Sequence, residues 1–212
     1  MTAPPALTLI LASASPRRRE LISRLGVAVE VAPAEIDEAP RPGEPPALCA
    51  LRAARAKALH AAERFPESPV LAADTIVVLG RRILGKPVDR SEAAAMLRAL
   101  SGRAHTVVTA LAARWRGREA THLEHARVVI APLPGPLIDW YVATGEADDK
   151  AGAYAVQGRA AVFVERVEGN VQAVVGLPLA PLRGLFARVG LELRPLGERL
   201  VLTPTTSSGS FP

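Results

Sequence analysis

A strand that turns directly into a helix near the N-terminus constrains this chain most. Leu9, Ile10, Leu11 and Ala12 are a continuous apolar run of strand length. Ser13, Ala14 and Ser15 form a short polar turn. Ser15 is a favoured N-cap, and Pro16 suits the first helical position because the N–H it lacks would have no helical partner there. Leu21, Ile22 and Leu25 give the helix an apolar stripe that stops at Gly26.

The first turn of that helix breaks a local rule. Arg17, Arg18 and Arg19 sit at the positive end of the helix dipole, where each cation is disfavoured by up to roughly 1 kcal/mol. Position 18 holds no capping-box acid to offset them. Unpaired N–H groups, the hydroxyls of Ser13 and Ser15 and the guanidiniums together make an anion site. The plainer alternative is ordinary capping beside a solvated basic turn.

The remaining composition narrows the field. The chain has 212 residues, 49% hydrophobic and 22% charged, enough for one domain with a sizeable core. No apolar run approaches membrane-spanning length. The first eight residues lack the charged region of a signal peptide, so a cytoplasmic protein is expected. Cys49 is the only cysteine, which excludes an intrachain disulfide and a multi-cysteine zinc site. His122 and His125 lie in a strand-like run whose spacing sends them to opposite faces. Net charge is +5, yet the arginines are scattered and aromatics make up only 4%, so no stacking platform for nucleic acid is built. A small anionic ligand explains the charge as well.

Of 26 basic residues only three are lysines, at Lys57, Lys86 and Lys150. A lysine kept against so strong an arginine habit points to a compact ammonium, as for a phosphate contact. Residues 70–79 are an apolar strand-like run interrupted by Asp74 and Thr75. A carboxylate inside such a run is uncommon unless paired or metal-bound, which marks Asp74 as functional. Residues 80–86 come within one residue of a phosphate-binding loop motif. Pro87 lacks the hydroxyl and N–H that motif needs, and Ile83-Leu84 reads as a returning strand.

Other elements follow from periodicity and turn residues. A second strand is expected over 27–32 and a mobile Pro-rich loop over 39–46. A helix over 47–64 is expected to turn Leu48, Leu51, Ala58 and Leu59 inward and Arg52, Arg55, His60 and Glu63 outward. A helix over 91–100, capped by Ser91 or Asp89, precedes a long hairpin, 105–115 and 119–132, around Arg116-Gly117-Arg118. A helix over 136–145 is followed by a polar stretch, 146–158. Residues 161–167 and 171–175 read as a second hairpin, and 178–189 as the last helix. Residues 1–202 then form one domain, with 203–212 as a disordered tail rich in Thr, Ser and Pro.

These motifs, taken in order, resemble the Maf family of nucleoside triphosphate pyrophosphatases. The resemblance rests on Ser13-Ala14-Ser15-Pro16-Arg17-Arg18, Ala73-Asp74-Thr75, Gly85-Lys86-Pro87, Ser101-Gly102-Arg103-Ala104-His105, Asp149-Lys150-Ala151-Gly152-Ala153-Tyr154, Gln157-Gly158 and Val174-Val175-Gly176-Leu177-Pro178-Leu179. Ala155 and the stretch 169–173 depart slightly from the pattern. The resemblance implies an elongated α/β fold, with a curved mixed sheet flanked by helices and a cleft between two lobes, often as a homodimer. It implies cleavage of a nucleoside triphosphate to monophosphate and pyrophosphate with a divalent metal, magnesium or manganese. Asp74 corresponds to the proton acceptor, and Arg17, Thr75 and Gln157 to positions that select the base, here in the pattern of the dTTP/UTP subgroup. A 7-methyl-GTP pyrophosphatase carries Trp, Gln and Glu at those three positions, and a non-enzymatic division regulator is the rival from another class. The chemistry expected of such a site assigns Ser13, Arg18, Lys57 and Lys86 to the triphosphate. It assigns Asp74 and Glu38 to the metal.

Overall fold

Three long strands carry the molecule. The computed structural model describes residues 5–205. In chain order, β1 (Leu9–Leu11), α1 (Pro16–Ser23), β2 (Val29–Val31) and α2 (Pro46–Arg64) lead into the long strand β3 (Val70–Leu79), followed by β4 (Arg82–Leu84) and α3 (Arg90–Leu100). The second and third long strands, β5 (Ala104–Trp115) and β6 (Arg118–Ile130), form the expected hairpin. After α4 (Gly135–Ala143) come β7 (Val164–Gly169), α5 (Val171–Val175), α6 (Leu182–Arg188) and a terminal hairpin, β8 (Leu191–Leu196) and β9 (Arg199–Pro204).

The main sheet is mixed, in the order β2-β1-β3-β5-β6-β7, with β4 on the far end of β3. β1 lies parallel to β2 and β3, and the other neighbours are antiparallel. β1 accompanies β3 only as far as Leu71, and β4 joins it only from Val77. Residues 72–76 therefore form a notch in that edge, paired with β5 but with no strand on the β1 side among the described residues. Asp74 and Thr75 sit in the notch.

On one face of the sheet lies α2. Ala50, Ala54, Ala58 and Ala61 recur at helical spacing and pack on Ile10, Ala72, Ile76, Val108 and Ala110. Methyl-sized side chains let the helix axis approach the sheet closely, and of the leucines of α2 only Leu51 packs against them. Hence Leu48 and Leu59, expected inward, stand 52% and 43% exposed, while Cys49 and Lys57 point in.

The opposite face carries two apolar clusters. One joins Leu9, Leu11, Leu71 and Leu111 to Leu21 and Ile22 of α1 and to Leu185 and Phe186 of α6. The other joins Val77, Val107 and Val128 to Leu97 of α3 and Tyr141 of α4. Burial of each such side chain stabilises the fold by about 1.5–3 kcal/mol. Between the clusters, on the same face, Thr75 and Thr109 stand directly opposite one another in register. This polar rung ends one apolar ladder and starts the next.

Other expectations are corrected. Residues 171–175 are a helix rather than a returning strand: Gly169 turns the chain at φ 101°, and the Asn170 side chain accepts the Gln172 N–H as an N-cap. The expected last helix, over 178–189, shortens to α6, and β8 and β9 follow it. The expected tail does not begin at Thr203. Thr203 is buried and pairs with Glu192, and Leu202 bridges back to Leu7; the rest of that stretch, residues 206–212, lies outside the described residues. The Pro-rich loop is also strapped down: outward-facing Arg52 grips the Glu44 carboxylate with two nitrogens, at 2.7 and 2.8 Å, and donates to the Ala39 carbonyl.

Candidate active site

The notch opens into a pocket of about 300 Å³, lined by the β1–α1 turn, β3, Glu38 and Lys57, Lys86, and residues 149–157. Five cationic side chains (Arg17, Arg18, Lys57, Lys86 and Lys150) and three carboxylates (Glu38, Asp74 and Asp149) line it. The excess of positive charge favours a polyanion.

The turn before α1 is built as the sequence implied. The Ser15 hydroxyl accepts from Arg18 N–H at 3.5 Å, and the Ser13 hydroxyl accepts from Ser15 N–H at 3.2 Å. Arg17 is half-buried and faces the pocket; Arg19 is exposed and does not line it. Arg18 is a brace. It donates to the carbonyls of Gly176 (2.9 Å) and Ala73 (2.8 Å) and to the hydroxyls of Ser13 and Thr75 (both 3.1 Å). Four of its five N–H groups are thereby used. Burial lowers its pKa, against the opposing charges of Asp74 and Glu38. Gly176 accepts this brace at φ 116°, where a Cβ would come within 3.2 Å of the Thr75 hydroxyl.

The direction of the next hydrogen bonds can be deduced. The Thr109 hydroxyl donates its single proton to the Ala173 carbonyl at 2.7 Å. The Thr75–Thr109 bond of 2.9 Å must then be donated by Thr75, which itself accepts from Arg18. Arg18, Thr75, Thr109 and Ala173 form a one-way chain. Thr75 has no proton left for a ligand and offers the pocket only its methyl group and a lone pair.

Asp74 points to the α2 side of β3 and is 6% exposed. Its Oδ1 accepts from Lys57 Nζ at 2.7 Å, and Lys57 also meets Glu38 Oε1 at 3.0 Å. Lys57 therefore holds two carboxylates, a pairing not legible in the sequence. Asp74 Oδ2 has no protein partner among the described residues. The trio carries one net negative charge and brings two carboxylates to a single ammonium. No cluster of three His, Cys, Asp or Glu side chains suited to a metal exists among the described residues. Magnesium, however, commonly takes one or two carboxylates together with substrate phosphates, and Asp74 with Glu38 fits that donor set.

Lys86 and Gln157 are exposed side chains on the pocket wall. Lys150, flagged in the sequence by the scarcity of lysine and by its place in a motif, lines the pocket and is ion-paired to Asp149. Tyr154, which the sequence shows only as the end of a motif and to which it assigns no role, also lines it. Its hydroxyl bonds His105 Nε2 at 2.7 Å beneath the wall, and burial pushes the His105 imidazole down to about 4.

Comparison with known proteins finds relatives over most of the chain. Residues 8–189 match the family described as Maf-like protein. The dTTP/UTP pyrophosphatase of Anaeromyxobacter dehalogenans is 52% identical over 189 residues, covering 87% of this chain and 95% of that protein. The dTTP/UTP pyrophosphatases of Myxococcus xanthus and Cupriavidus metallidurans are 49% and 45% identical, over 87% of this chain and 94% and 98% of theirs.

Proposed function

The chain belongs to the Maf-like protein family, and from that premise we propose that its pocket hydrolyses dTTP and UTP between the α- and β-phosphates, releasing the monophosphate and pyrophosphate. One observation carries the reading: a buried Asp74, held by Lys57 and faced by Glu38, stands in the same pocket as Arg17, Lys86 and Lys150. The first group suits proton transfer and the second suits a triphosphate.

In this mechanism a water oxygen bonds to the α-phosphorus, and the bridging oxygen departs with pyrophosphate. The water's proton passes to Asp74 Oδ2, the oxygen that Lys57 leaves unpaired. Lys57, bonded to Oδ1, orients Asp74 for that role. Asp74 and Glu38 would hold magnesium or manganese jointly with the phosphates, and such an ion supplies neutralising charge and a more acidic water. Lys86, Lys150 and Arg17 bear on the spreading negative charge, and Ser13 and Arg18 keep the β1–α1 turn in place beside it. The base is read by Gln157, whose amide offers one donor and one acceptor to the imide edge of uracil or thymine. Thr75 limits the space beside it. We place this reaction in the cytoplasm, with the nucleotide pool it acts on.

The test is product analysis with UTP, dTTP, CTP and 7-methyl-GTP, with magnesium or manganese added and after chelation. Pyrophosphate from UTP and dTTP is the expected first product; orthophosphate would overturn α–β cleavage. Asp74→Asn should lower kcat by a factor on the order of 10² or more. A fully active Asp74→Asn enzyme would make Asp74 a structural residue.

A further inference from the structure

The segment that carries Gln157 is held by a group outside the pocket. Residues 155–160 form a turn closed by Gly158 N–H on the Ala155 carbonyl at 2.9 Å. On one side of Gln157, the Ala155 N–H donates to the Tyr141 hydroxyl at 3.2 Å. On the other, the Arg159 N–H donates to Glu146 Oε2 at 3.1 Å, and the Ala160 N–H to Oε1 at 3.5 Å. The Tyr141 hydroxyl donates in turn to Glu146 Oε1 at 3.1 Å. A Cβ on Gly158 would overlap the Glu146 carboxylate, so a glycine next to Gln157 is what lets the carboxylate approach.

The anchor itself is fixed. Tyr141 is fully buried in α4 and packs edge-on against Phe163, with ring centroids 5.0 Å apart. Burial, and then the neighbouring Glu146 charge, raise its pKa, so the hydroxyl keeps its proton and donates. Glu146 follows the end of α4, where its own N–H donates to the Thr144 hydroxyl at 3.2 Å. Glu146 does not line the pocket, whereas Gln157 does, with no hydrogen-bond partner among the described residues.

We propose that Glu146 is a positioning residue for base recognition. With Tyr141, its carboxylate holds the backbone on both sides of Gln157 and so fixes where the Gln157 amide is presented. The role requires two acceptor oxygens, because three donors converge on this carboxylate: two backbone N–H groups and one hydroxyl. Misplacement of a reading group by about 1 Å is enough to cost up to a hundredfold in rate. The inference rests on the reading that Gln157 reads the base.

The experiment is a double-mutant cycle on the full chain, with kcat and KM measured by pyrophosphate release from UTP and CTP for wild type, Glu146→Ala, Gln157→Ala and the double variant. Glu146→Ala should raise KM for UTP about tenfold, leave kcat within about twofold and erode the preference for UTP over CTP. In the Gln157→Ala background the same substitution should change that preference no further, because both act through one amide. Glu146→Gln, which keeps one acceptor, should fall between wild type and Glu146→Ala. Should Glu146→Ala fail to fold, Tyr141→Phe keeps the ring on Phe163, removes only the hydroxyl and should show the same split. A fall in kcat shared equally by UTP and CTP, or effects that multiply in the double variant, would make Glu146 merely structural. Wild-type protein that releases no pyrophosphate would overturn the functional reading and this inference with it. Wild-type activity with an unchanged UTP-to-CTP ratio in Glu146→Ala would overturn this inference alone.

Discussion

Single residues here answer to partners far away in sequence. Asp74 stood out as a carboxylate inside an apolar strand, and that signal needed no structure. Lys57 stood out as a rare lysine, but that it spends its charge on Asp74 and Glu38 rather than reaching freely for phosphate depends on how α2 docks. Arg18 is the same case: the sequence places it in a basic first turn, and only packing supplies the Gly176 and Ala73 carbonyls that occupy it. His105 is the residue whose burial has a measurable consequence for pH. Its pKa is pushed down to about 4 in the folded protein, against about 6.5 in an unfolded chain. Below about 6.5 the unfolded chain therefore binds a proton that the folded protein refuses. Stability from this group is fully present above that pH and is lost as pH falls toward 4. Denaturant titrations from pH 8 to pH 4 should show the decline, and His105→Gln should flatten it.

At the scale of elements, local chemistry was legible wherever one residue settles the matter. Ser15 and Pro16 start α1, and Gly117 turns the β5–β6 hairpin. Where the facing element decides, sequence alone misled. In α2 the periodicity turns Leu48, Leu51, Ala58 and Leu59 inward, yet only Leu51 and Ala58 pack on the close sheet and Leu48 and Leu59 are turned out. In α5 the Val-rich composition reads as strand, and five residues are too few to show a helical period. The buried face of α2 makes a sharp prediction. Ala58→Leu should destabilise by about 1–3 kcal/mol through overpacking, whereas its neighbour Leu59→Ala should stay within about 0.5 kcal/mol. Equal effects in urea melts of the two variants would contradict the assignment of the buried face.

For the whole molecule, the β8–β9 hairpin is the least expected part, because a Thr- and Pro-containing terminus gave no strand signal. It is tied to the chain's beginning. Leu202 is fully buried in the cluster of α1 and α6, and its carbonyl accepts from Leu7 N–H at 2.8 Å. The two ends of the chain thus complete one core beside the β1–α1 turn. Leu202→Ala should cost about 2–5 kcal/mol, read as a lower melting temperature. No loss would show that the hairpin merely rests on the surface.

The one-way chain from Arg18 through Thr75 and Thr109 to the Ala173 carbonyl also sets how the pocket floor responds electrically. Each hydroxyl in it has its single proton committed, and the guanidinium at its head keeps one N–H to spare. A hydroxyl free to swivel would turn toward whichever charge arrived, ground state or transition state alike. This floor has no such freedom, so its dipoles stay oriented whatever charge enters the pocket, and the cost of orienting them is met during folding.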